Sequence, residues 1–384
     1  MRERRRPGEI RDAVVAYLVS EGGAASVTKI CEGVATALGN PVAPSSVRSY
    51  LCLNEGALFD RTSRGQYILS GAVSPPLDKP VEFRSFQFGQ AELLEADCFQ
   101  WLRQRPERSI HAVVTDPPYG LVEYSTEQQA KLRNGHGGVW RIPPSFDGHQ
   151  RSPLPRFTVL KEAELRQLEL FFTAWARALF PVLVPGANVV IASNPLFSYL
   201  VAGAVARAGF ERRGEIVRLV MTMRGGDRPK NAHDEFSGVS VMPRSMWEPW
   251  LLFRKPLEGR VQDNLRAWKT GGLRRISESS PFGDVILSHP TQPAERRLAP
   301  HPSLKPQAFL RQIVRAVLPL GEGIVADPFA GSGSTLAAAE AVGYRSIGME
   351  SDSNYFEVAR TAIPKLASME AMSRGQLGVN PVAT

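Results

Sequence analysis

The sequence predicts an α/β fold, a doubly wound and mainly parallel sheet with helices on both faces, preceded by a small helical domain. Three observations support this prediction. Apolar segments of strand length alternate with longer amphipathic segments from about residue 85 to residue 370. One apolar segment, at 325–335, ends in a glycine-rich turn that opens a helix. The first 71 residues differ from the rest, because three helical periodicities there precede two short alternating segments.

Composition narrows the class of protein. The chain has 384 residues, of which 43% are hydrophobic and 22% charged, enough for one large domain and a small one. Its net charge of +8 favours a polyanionic partner. Cys31, Cys52 and Cys98 form no CxxC pair, which argues against a disulfide framework or a cysteine zinc site and suits a reducing cytoplasm. No apolar run has the length of a membrane span, so we expect a cytoplasmic protein.

Residues 1–71 predict a compact module of their own. Ile10, Val14 and Leu18 recur at helical spacing, a second helix follows Ser26, and a third opens near Ser45. The segment 57–70 then alternates like two strands around a Ser-Arg-Gly turn. Three helices followed by a hairpin resemble a winged helix-turn-helix. This plan predicts binding of DNA or of a partner, with a packing module that binds nothing as the alternative.

The remaining elements follow in order. Residues 72–84 are rich in proline and small side chains and predict a linker, 85–370 predict one domain, and 371–384 predict a flexible tail. Strands are predicted where short apolar runs occur, and helices where apolar residues recur three and four positions apart. In chain order we expect strand 91–97, helix 98–104, strand 111–116, helix 165–179, strand 187–193, helix 196–209, strands 215–223 and 249–255, helix 309–318, a strand–turn–helix unit at 323–343, and strand 345–352.

Two stretches depart from this alternation. Residues 121–160 and about 222–300 are rich in arginine, glycine, proline and isolated aromatic residues. We predict that they are long loops inserted at the edge of the sheet, where binding determinants usually lie. Their basic residues suit contacts with phosphates, and a solvated basic surface is the alternative. His233, His289 and His301 have no metal-ligand spacing, so we expect no metal.

The segment 325–335, VADPFAGSGST, predicts a ligand-binding turn. Gly331 and Gly333 allow close approach of the backbone to a ligand and positive φ angles. Leu336 stands at the third glycine position of a dinucleotide fingerprint, and no lysine follows the glycines as in a P-loop. Glu350 ends the next predicted strand, where a carboxylate can bind two ribose hydroxyls; a solvated charge is the alternative.

The segment 113–120, VVTDPPYG, predicts a site that holds an aromatic amine. Pro117 and Pro118 stiffen the loop after an apolar strand, so that the Asp116 carboxylate and the Pro117 carbonyl face one spot. Two neighbouring acceptors match the two hydrogens of an amine. Tyr119 offers an aromatic face to a base that has left the duplex. An ordinary Asp-Pro surface turn is the alternative.

Together the two motifs resemble a known family. DPPY and DPFAGSGST, in this order, are similar to the β class of DNA amino-methyltransferases from restriction–modification systems. The resemblance extends over about residues 85–365 and includes EADC at 95–98 and GDV…HPSLKP at 283–306. GMES at 348–351 departs from it, because the family more often has an acidic pair there. The resemblance implies a Rossmann-like methyltransferase sheet, S-adenosyl-L-methionine as cofactor and double-stranded DNA as substrate, with a cognate restriction endonuclease as an expected partner.

The resemblance also implies roles for individual residues. Asp116, Pro117, Pro118 and Tyr119 would carry the reaction. Lys305 and Pro306 would close over the methionine end of the cofactor, Glu350 would bind its ribose, and Asp97 would lie near its adenine. The methionine and backbone part of the pocket would be formed by the glycine-rich turn, with the residues Asp327, Phe329, Ala330, Gly331, Ser332, Gly333 and Thr335.

The sequence therefore predicts a site-specific DNA methyltransferase that acts on N6 of a flipped-out adenine by direct in-line transfer. Methylation of cytosine carbon 5 needs a nucleophilic cysteine, usually after proline, and no cysteine of this chain follows a proline. N4 of cytosine stays open as the acceptor, since Asp116 favours adenine only by resemblance. Methylation of RNA or of a protein amide is a weaker alternative. A DNA-binding regulator with an inactive methyltransferase domain also stays open, as does the oligomeric state, with a dimer among the choices.

Overall fold

The computed structural model describes residues 9–21, 23–53, 59–69, 81–117, 162–220, 226, 228–229, 231–301 and 304–370. It divides into two units, Met1–Glu82 and Phe83–Thr384. The predicted first insertion, 121–160, and the predicted tail, 371–384, lie outside the described residues. So does most of the predicted linker, whose last residue, Arg84, begins a strand.

The first unit contains three helices and a small antiparallel sheet. The helices are α1 (Glu9–Glu21), α2 (Val27–Leu38) and α3 (Pro44–Leu53), and the strands are β1 (Ala25–Ser26), β2 (Phe59–Ser63) and β3 (Gln66–Leu69). The strand order is β1-β3-β2. Val14, Ile30 and Val47, one from each helix, are fully buried. The two-residue β1 was not predicted, because two residues are too short for a recognisable alternation. The winged-helix assignment stays a prediction.

In the second unit, nine strands of the described residues form one sheet in the order β10-β8-β9-β7-β6-β11-β12-β5-β4. From β7 through β6, β11 and β12 to β5, every neighbouring pair is parallel. Antiparallel pairing joins β9 to both of its neighbours and β4 to β5. The strands are β4 (Arg84–Phe88), β5 (Ala91–Glu95), β6 (Ile110–Thr115), β7 (Leu183–Ala192), β8 (Glu211–Leu219), β9 (Trp247–Arg254), β10 (Val285–Leu287), β11 (Ile324–Asp327) and β12 (Arg345–Glu350).

Helices cover both faces of this sheet. They are α4 (Cys98–Gln104), α5 (Glu162–Val182), α6 (Ser198–Arg207), α7 (Val261–Trp268), α8 (Pro293–Leu298), α9 (Gln307–Val317), α10 (Ser334–Ala341) and α11 (Ser353–Ser368). The residues of β6 alternate between two cores, as expected for a strand that is buried on both faces. Val113 packs in a cluster with Trp175 of α5, whereas Val114 packs in a cluster with Ile313 of α9. The predicted doubly wound α/β fold is confirmed.

The prediction of loops over about 222–300 is wrong in part. The structure places β9, α7, β10 and α8 within this range. The strand predicted at 249–255 is confirmed as part of β9, where Trp250 is fully buried with its ring 5.2 Å from that of Phe309 on α9. The apolar run of β9 therefore belongs to the core, and the arginines that suggested a loop lie around it.

Strand order brings distant parts of the chain together. The chain leaves β6 toward β7 on one side of the sheet, and leaves β11 toward β12 on the other. β6 and β11 are direct neighbours, with Ala326 opposite Val113. Diverging connections create a crevice beyond the carboxyl ends of two such strands. The residues that follow β6 and β11 therefore meet at this crevice. Within the described part of the chain, no helix combines the length and apolarity needed to cross a bilayer.

Candidate active site

The two predicted motifs meet at the carboxyl ends of β6 and β11. Thr115, the last residue of β6, donates its hydroxyl hydrogen bond to Oδ1 of Asp327 over 2.6 Å. The same oxygen accepts the backbone N–H of Phe329 at 3.1 Å. Burial raises the pKa of Asp327 to about 6, although these hydrogen bonds favour the ionised form. Asp327 thus joins the loop that begins with Asp116 to the glycine-rich turn.

The glycine-rich turn has the backbone geometry that the sequence predicts. Gly331 and Gly333 adopt φ angles of 51° and 75°, in the left-handed region. A Cβ at Gly333 would lie 2.5 Å from Cγ1 of Ile363, so α11 leaves no room for a side chain there. A Cβ at Gly331 would lie 3.3 Å from the ring of His301. Glycine at these positions allows the turn to pack on α11 and keeps the space beside His301 open.

Glu350, the last residue of β12, turns back toward the same loop. Its Oε2 accepts the backbone N–H of Gly331, and its Oε1 accepts that of Asp352, both at 2.8 Å. Burial raises the pKa of Glu350 to about 7 against the effect of these two hydrogen bonds. The carboxylate is therefore fixed at the mouth of the turn, where the sequence places a ribose-binding group.

A cleft lies between these elements, and the empty space in it, which includes open solvent, amounts to about 320 Å³. Most of the predicted site residues line it, together with Leu310, Ser334 and His301, which the sequence analysis did not select. Burial, followed by the charge of Lys305, lowers the pKa of His301 to about 4, so the imidazole is neutral at physiological pH. The predicted residues that line the cleft are Asp116, Lys305, Asp327, Phe329, Ala330, Gly331, Ser332 and Thr335.

Of the other predicted residues, Pro306 and Asp97 are described but are not among those that line the cleft. Pro306 is the N-cap of α9. Asp97 caps α4, where its Oδ1 accepts the backbone N–H of Gln100 at 3.0 Å. It follows β5, which pairs with β12 up to Glu350. Pro118 and Tyr119 lie outside the described residues, and stacking of a base on Tyr119 stays a prediction.

Lys305 connects the cleft to a buried group of charges. Its Nζ lies 2.7 Å from Oδ2 of Asp116 and 3.0 Å from Oε1 of Glu248. Oε2 of Glu248 accepts a hydrogen bond from Arg218 at 2.8 Å. Burial opposes the charge on Lys305, but the two carboxylates outweigh it and raise its pKa. Burial likewise opposes ionisation of Glu248. The positive charges of Lys305 and Arg218 outweigh the effect of burial and hold the pKa of Glu248 well below its usual range.

The backbone around Lys305 is fixed by a second buried carboxylate. Glu295 of α8 accepts the backbone N–H of Gln307 at 2.7 Å, directly after Pro306. The side chain of Gln307 donates to the carbonyl of Ser334, at the start of α10, over 2.9 Å. These bonds anchor the segment that carries Lys305 to α8 and α10.

Glu248 and Arg218 were not predicted as site residues from the sequence. A signal was present for Glu248, which is a charged residue in the mainly apolar strand β9, whereas Arg218 stands among the other charged residues of β8. Such a residue is rarely buried without a partner of opposite charge. The partners could not be identified from the sequence, because they come from distant segments of the chain.

Comparisons with known proteins point to one family. The family model N6_N4_Mtase, described as DNA methylase, matches residues 110–361. The Type II methyltransferase M.HindIII of Haemophilus influenzae is 24% identical over 293 residues, which cover 70% of this chain and 93% of that protein. The Type II methyltransferase M2.DpnII of Streptococcus pneumoniae is 23% identical over 268 residues, which cover 70% and 87%. The solved structure of PvuII DNA methyltransferase (cytosine-N4-specific) aligns over 75% of this chain and 89% of its own, with 14% identity and a TM-score of 0.46.

Proposed function

The chain belongs to the N6/N4 DNA methylase family, and from this premise we propose that it transfers the methyl group of S-adenosyl-L-methionine to N6 of adenine in double-stranded DNA. One observation carries the proposal. Asp116, from the loop after β6, and Gly331, from the turn after β11, line the same cleft. The carboxylate that would accept hydrogen bonds from the amine and the turn that would bind the cofactor are thus within reach of each other, as a direct transfer requires.

The residues of the cleft fit this cofactor. Gly331 keeps the space beside His301 open, and Glu350 supplies a fixed carboxylate at the mouth of the turn. We propose that Glu350 binds the ribose, that Asp97 lies near the adenine, and that the turn from Asp327 to Thr335 holds the methionine part. Lys305 and Pro306 close that end. When it is bound, the cofactor supplies a methyl group already activated by its sulfonium.

The protein contributes placement and charge. Asp116 and the carbonyl of Pro117 accept the two hydrogens of the exocyclic amine, which draws the nitrogen lone pair out of conjugation and aims it at the methyl carbon. With the cofactor held by these residues, its carbon–sulfur bond would break as the carbon–nitrogen bond forms, and the nitrogen would then lose a proton to solvent. Asp116 stabilises the positive charge that develops on nitrogen. The ammonium of Lys305 pairs with the Asp116 carboxylate over 2.7 Å and would hold it in place for this role.

Partners and location belong to the same proposal. The basic residues around β9 and those of the first unit suit the phosphates of a DNA duplex. A cognate restriction endonuclease is the expected cellular partner, because the relatives with similar sequences are named Type II methyltransferases. We propose a cytoplasmic enzyme that acts as a monomer or a dimer.

The test is incubation with methyl-labelled cofactor and duplex DNA of mixed sequence, followed by analysis of the nucleosides. We expect labelled N6-methyladenine. Asp116→Ala should reduce transfer at least about a hundred-fold, because the carboxylate acts on the charge that develops in the transition state. The same variant should bind the cofactor with nearly unchanged affinity in a calorimetric titration. Asp116→Asn, which keeps the shape of the side chain, is the control for folding.

Each other outcome identifies a different alternative. Detection of labelled N4-methylcytosine would show that the acceptor is cytosine and not adenine, and the assignment of the site residues would stand. A protein that binds DNA but neither binds the cofactor nor transfers methyl would be a regulator with an inactive domain. An active Asp116→Ala variant would refute the catalytic assignment.

A further inference from the structure

We infer that Glu248 and Arg218 are positioning residues for methyl transfer, which hold Lys305 so that its ammonium orients the Asp116 carboxylate. The inference rests on the proposed function. The chain of contacts runs from Asp116 through Lys305 and Glu248 to Arg218, with separations of 2.7, 3.0 and 2.8 Å. The four side chains are between 7% and 16% exposed, so solvent screens these charges little.

Arg218 is the fixed end of this chain. It lies directly opposite Glu248 in the register of β8 and β9. Its Nε donates to the hydroxyl of Ser288 at 2.9 Å, and its second terminal nitrogen donates to the carbonyl of His289 at 2.8 Å. The guanidinium also lies over the ring of Phe309, 5.1 Å from the centroid. Held by these groups, Arg218 binds one oxygen of Glu248 and leaves the other to face Lys305.

Glu248 also adjusts the charge at the reacting amine. The amine nitrogen becomes positive during transfer, and a lysine ammonium beside it would oppose that change. With Glu248 in place, Lys305 is shared between two carboxylates, and the group of Asp116, Lys305 and Glu248 carries one net negative charge. Lys305 can then orient Asp116 without making the site positive. Arg218 is one contact farther from the amine and acts on it through Glu248.

A second pair on the same strands shows what a purely structural ion pair looks like here. Glu211 and Arg254 also lie opposite each other in β8 and β9, and their charged atoms are 2.6 Å apart. Arg218 lies seven positions after Glu211 along β8, which corresponds to roughly 20 Å. Arg254 completes its contacts with the carbonyl of Gly271 and not with a residue of the cleft. This pair is therefore a matched control for strand pairing.

The inference predicts a change in pH dependence as well as in rate. Among the described residues, the charged and titratable groups that face Lys305 include Asp116, Glu248, Arg218 and His301. Glu248→Gln removes one of the two carboxylates that favour the charged form of Lys305, and so lowers its pKa. Loss of activity at alkaline pH should then begin at lower pH in the variant, because neutral Lys305 no longer holds Asp116.

The experiment compares wild type, Glu248→Gln and Glu211→Gln as full-length chains. We measure kcat and KM for the cofactor between about pH 6 and 11, using labelled transfer to duplex DNA, because the pKa of Lys305 is raised above its usual value. For Glu248→Gln we expect kcat to fall about ten-fold or more, KM to change less than about three-fold, and the alkaline limb to move down by about one pH unit. Glu211→Gln should keep the wild-type kcat and pH profile. Glu248→Asp should recover part of the lost kcat.

A second variant distinguishes a loss of positioning from misfolding. Glu248→Gln leaves Arg218 without a carboxylate, so Arg218→Met combined with Glu248→Gln removes both charges and keeps the volume. Thermal unfolding of each variant is measured in parallel. A folded double variant with the kcat and pH profile of wild type would overturn the inference. A wild-type protein that binds the cofactor but transfers no methyl would overturn the proposed function itself.

Discussion

At the scale of single residues, the site depends on carboxylates whose pKa is raised by burial and lowered by hydrogen bonds. Asp327 has a raised pKa of about 6 and Glu350 one of about 7, and backbone N–H groups bond to both. Each therefore titrates near neutral pH in the absence of a ligand. Hydroxyls that donate to the ionised form of Glu350 would shift it toward ionisation, which couples ligand binding to proton release.

This coupling gives a prediction for Glu350. Cofactor affinity should fall as the pH decreases from about 8 to 6, because the protonated carboxyl is a poorer acceptor for ribose hydroxyls. Glu350→Gln should weaken binding about ten-fold at pH 8 and remove most of this dependence. Calorimetric titrations at several pH values measure both effects. Glu322→Gln, an exposed position in the turn before β11, is the control, and an unchanged pH dependence in Glu350→Gln would exclude the ribose role.

The sign of the effect on stability follows from the same raised pKa. The folded protein retains the Glu350 proton up to about pH 7, whereas the unfolded chain loses it near the usual value of 4.5. The folded state therefore binds more protons between these values, and this group's contribution to the free energy of unfolding decreases as the pH rises through that window.

At the scale of secondary-structure elements, some features could be predicted from the sequence and others could not. Asp116 follows one short apolar run and Asp327 ends another, each before a stiff or glycine-rich turn, and the structure has these runs as β6 and β11. β4 and β10 were not predicted. β4 follows proline-rich residues and is partly exposed, and β10 has only three residues. The helix α7 was missed because its one fully buried side chain, Asn264, is polar.

Asn264 explains how a polar residue can anchor α7. Its side-chain nitrogen donates to the carbonyls of Pro185 and Thr270 at 3.0 and 2.9 Å, and its oxygen accepts the N–H of Glu258 at 3.1 Å. The helix is thus attached to β7 by hydrogen bonds and not by an apolar stripe. Hydrophobic periodicity cannot detect such an attachment.

The turn between β11 and α10 gives a prediction at this scale. Gly333→Ala should lower the free energy of unfolding by about 2 to 4 kcal/mol, because it combines a left-handed φ with a Cβ that overlaps Ile363. Gly343→Ala has a similar φ of 78° with no atom within 4 Å of the new Cβ, so it should cost only about 1 kcal/mol. Chemical denaturation measures both values. Equal losses in the two variants would contradict the close packing of the turn on α11.

At the scale of the whole molecule, the sequence was sufficient to predict that the two motifs converge, because the carboxyl ends of parallel strands share one edge. It was not sufficient to predict the charges around Lys305. Asp116, Lys305, Glu248 and Arg218 come from four segments, and their contacts depend on strand order and register, neither of which has a local signature. The rigid turns could thus be recognised from the local sequence, whereas the partners of the buried charges could be identified only once the fold was known.

The first unit gives a prediction for DNA binding by the full-length chain. Arg48 on α3 and Arg64 in the turn between β2 and β3 are exposed, as the helix and hairpin of a winged helix that contacts phosphates would require. Replacing both by alanine should weaken duplex binding and reduce the slope of log affinity against log salt by about 2. Lys365→Ala, an exposed position on α11, is the control in the same fluorescence titrations. An unchanged slope in the double variant would favour a partner protein, or no ligand, for this unit.

The central claim is that Asp116 and the glycine-rich turn form one site for methyl transfer. The most direct measurement is a crystal structure of the full-length protein with S-adenosylhomocysteine. We expect the ligand in the cleft beside Gly331, with its ribose hydroxyls bonded to Glu350 and its sulfur facing the side of the cleft formed by Asp116. A ligand bound elsewhere, or one whose sulfur faces away from Asp116, would contradict the account.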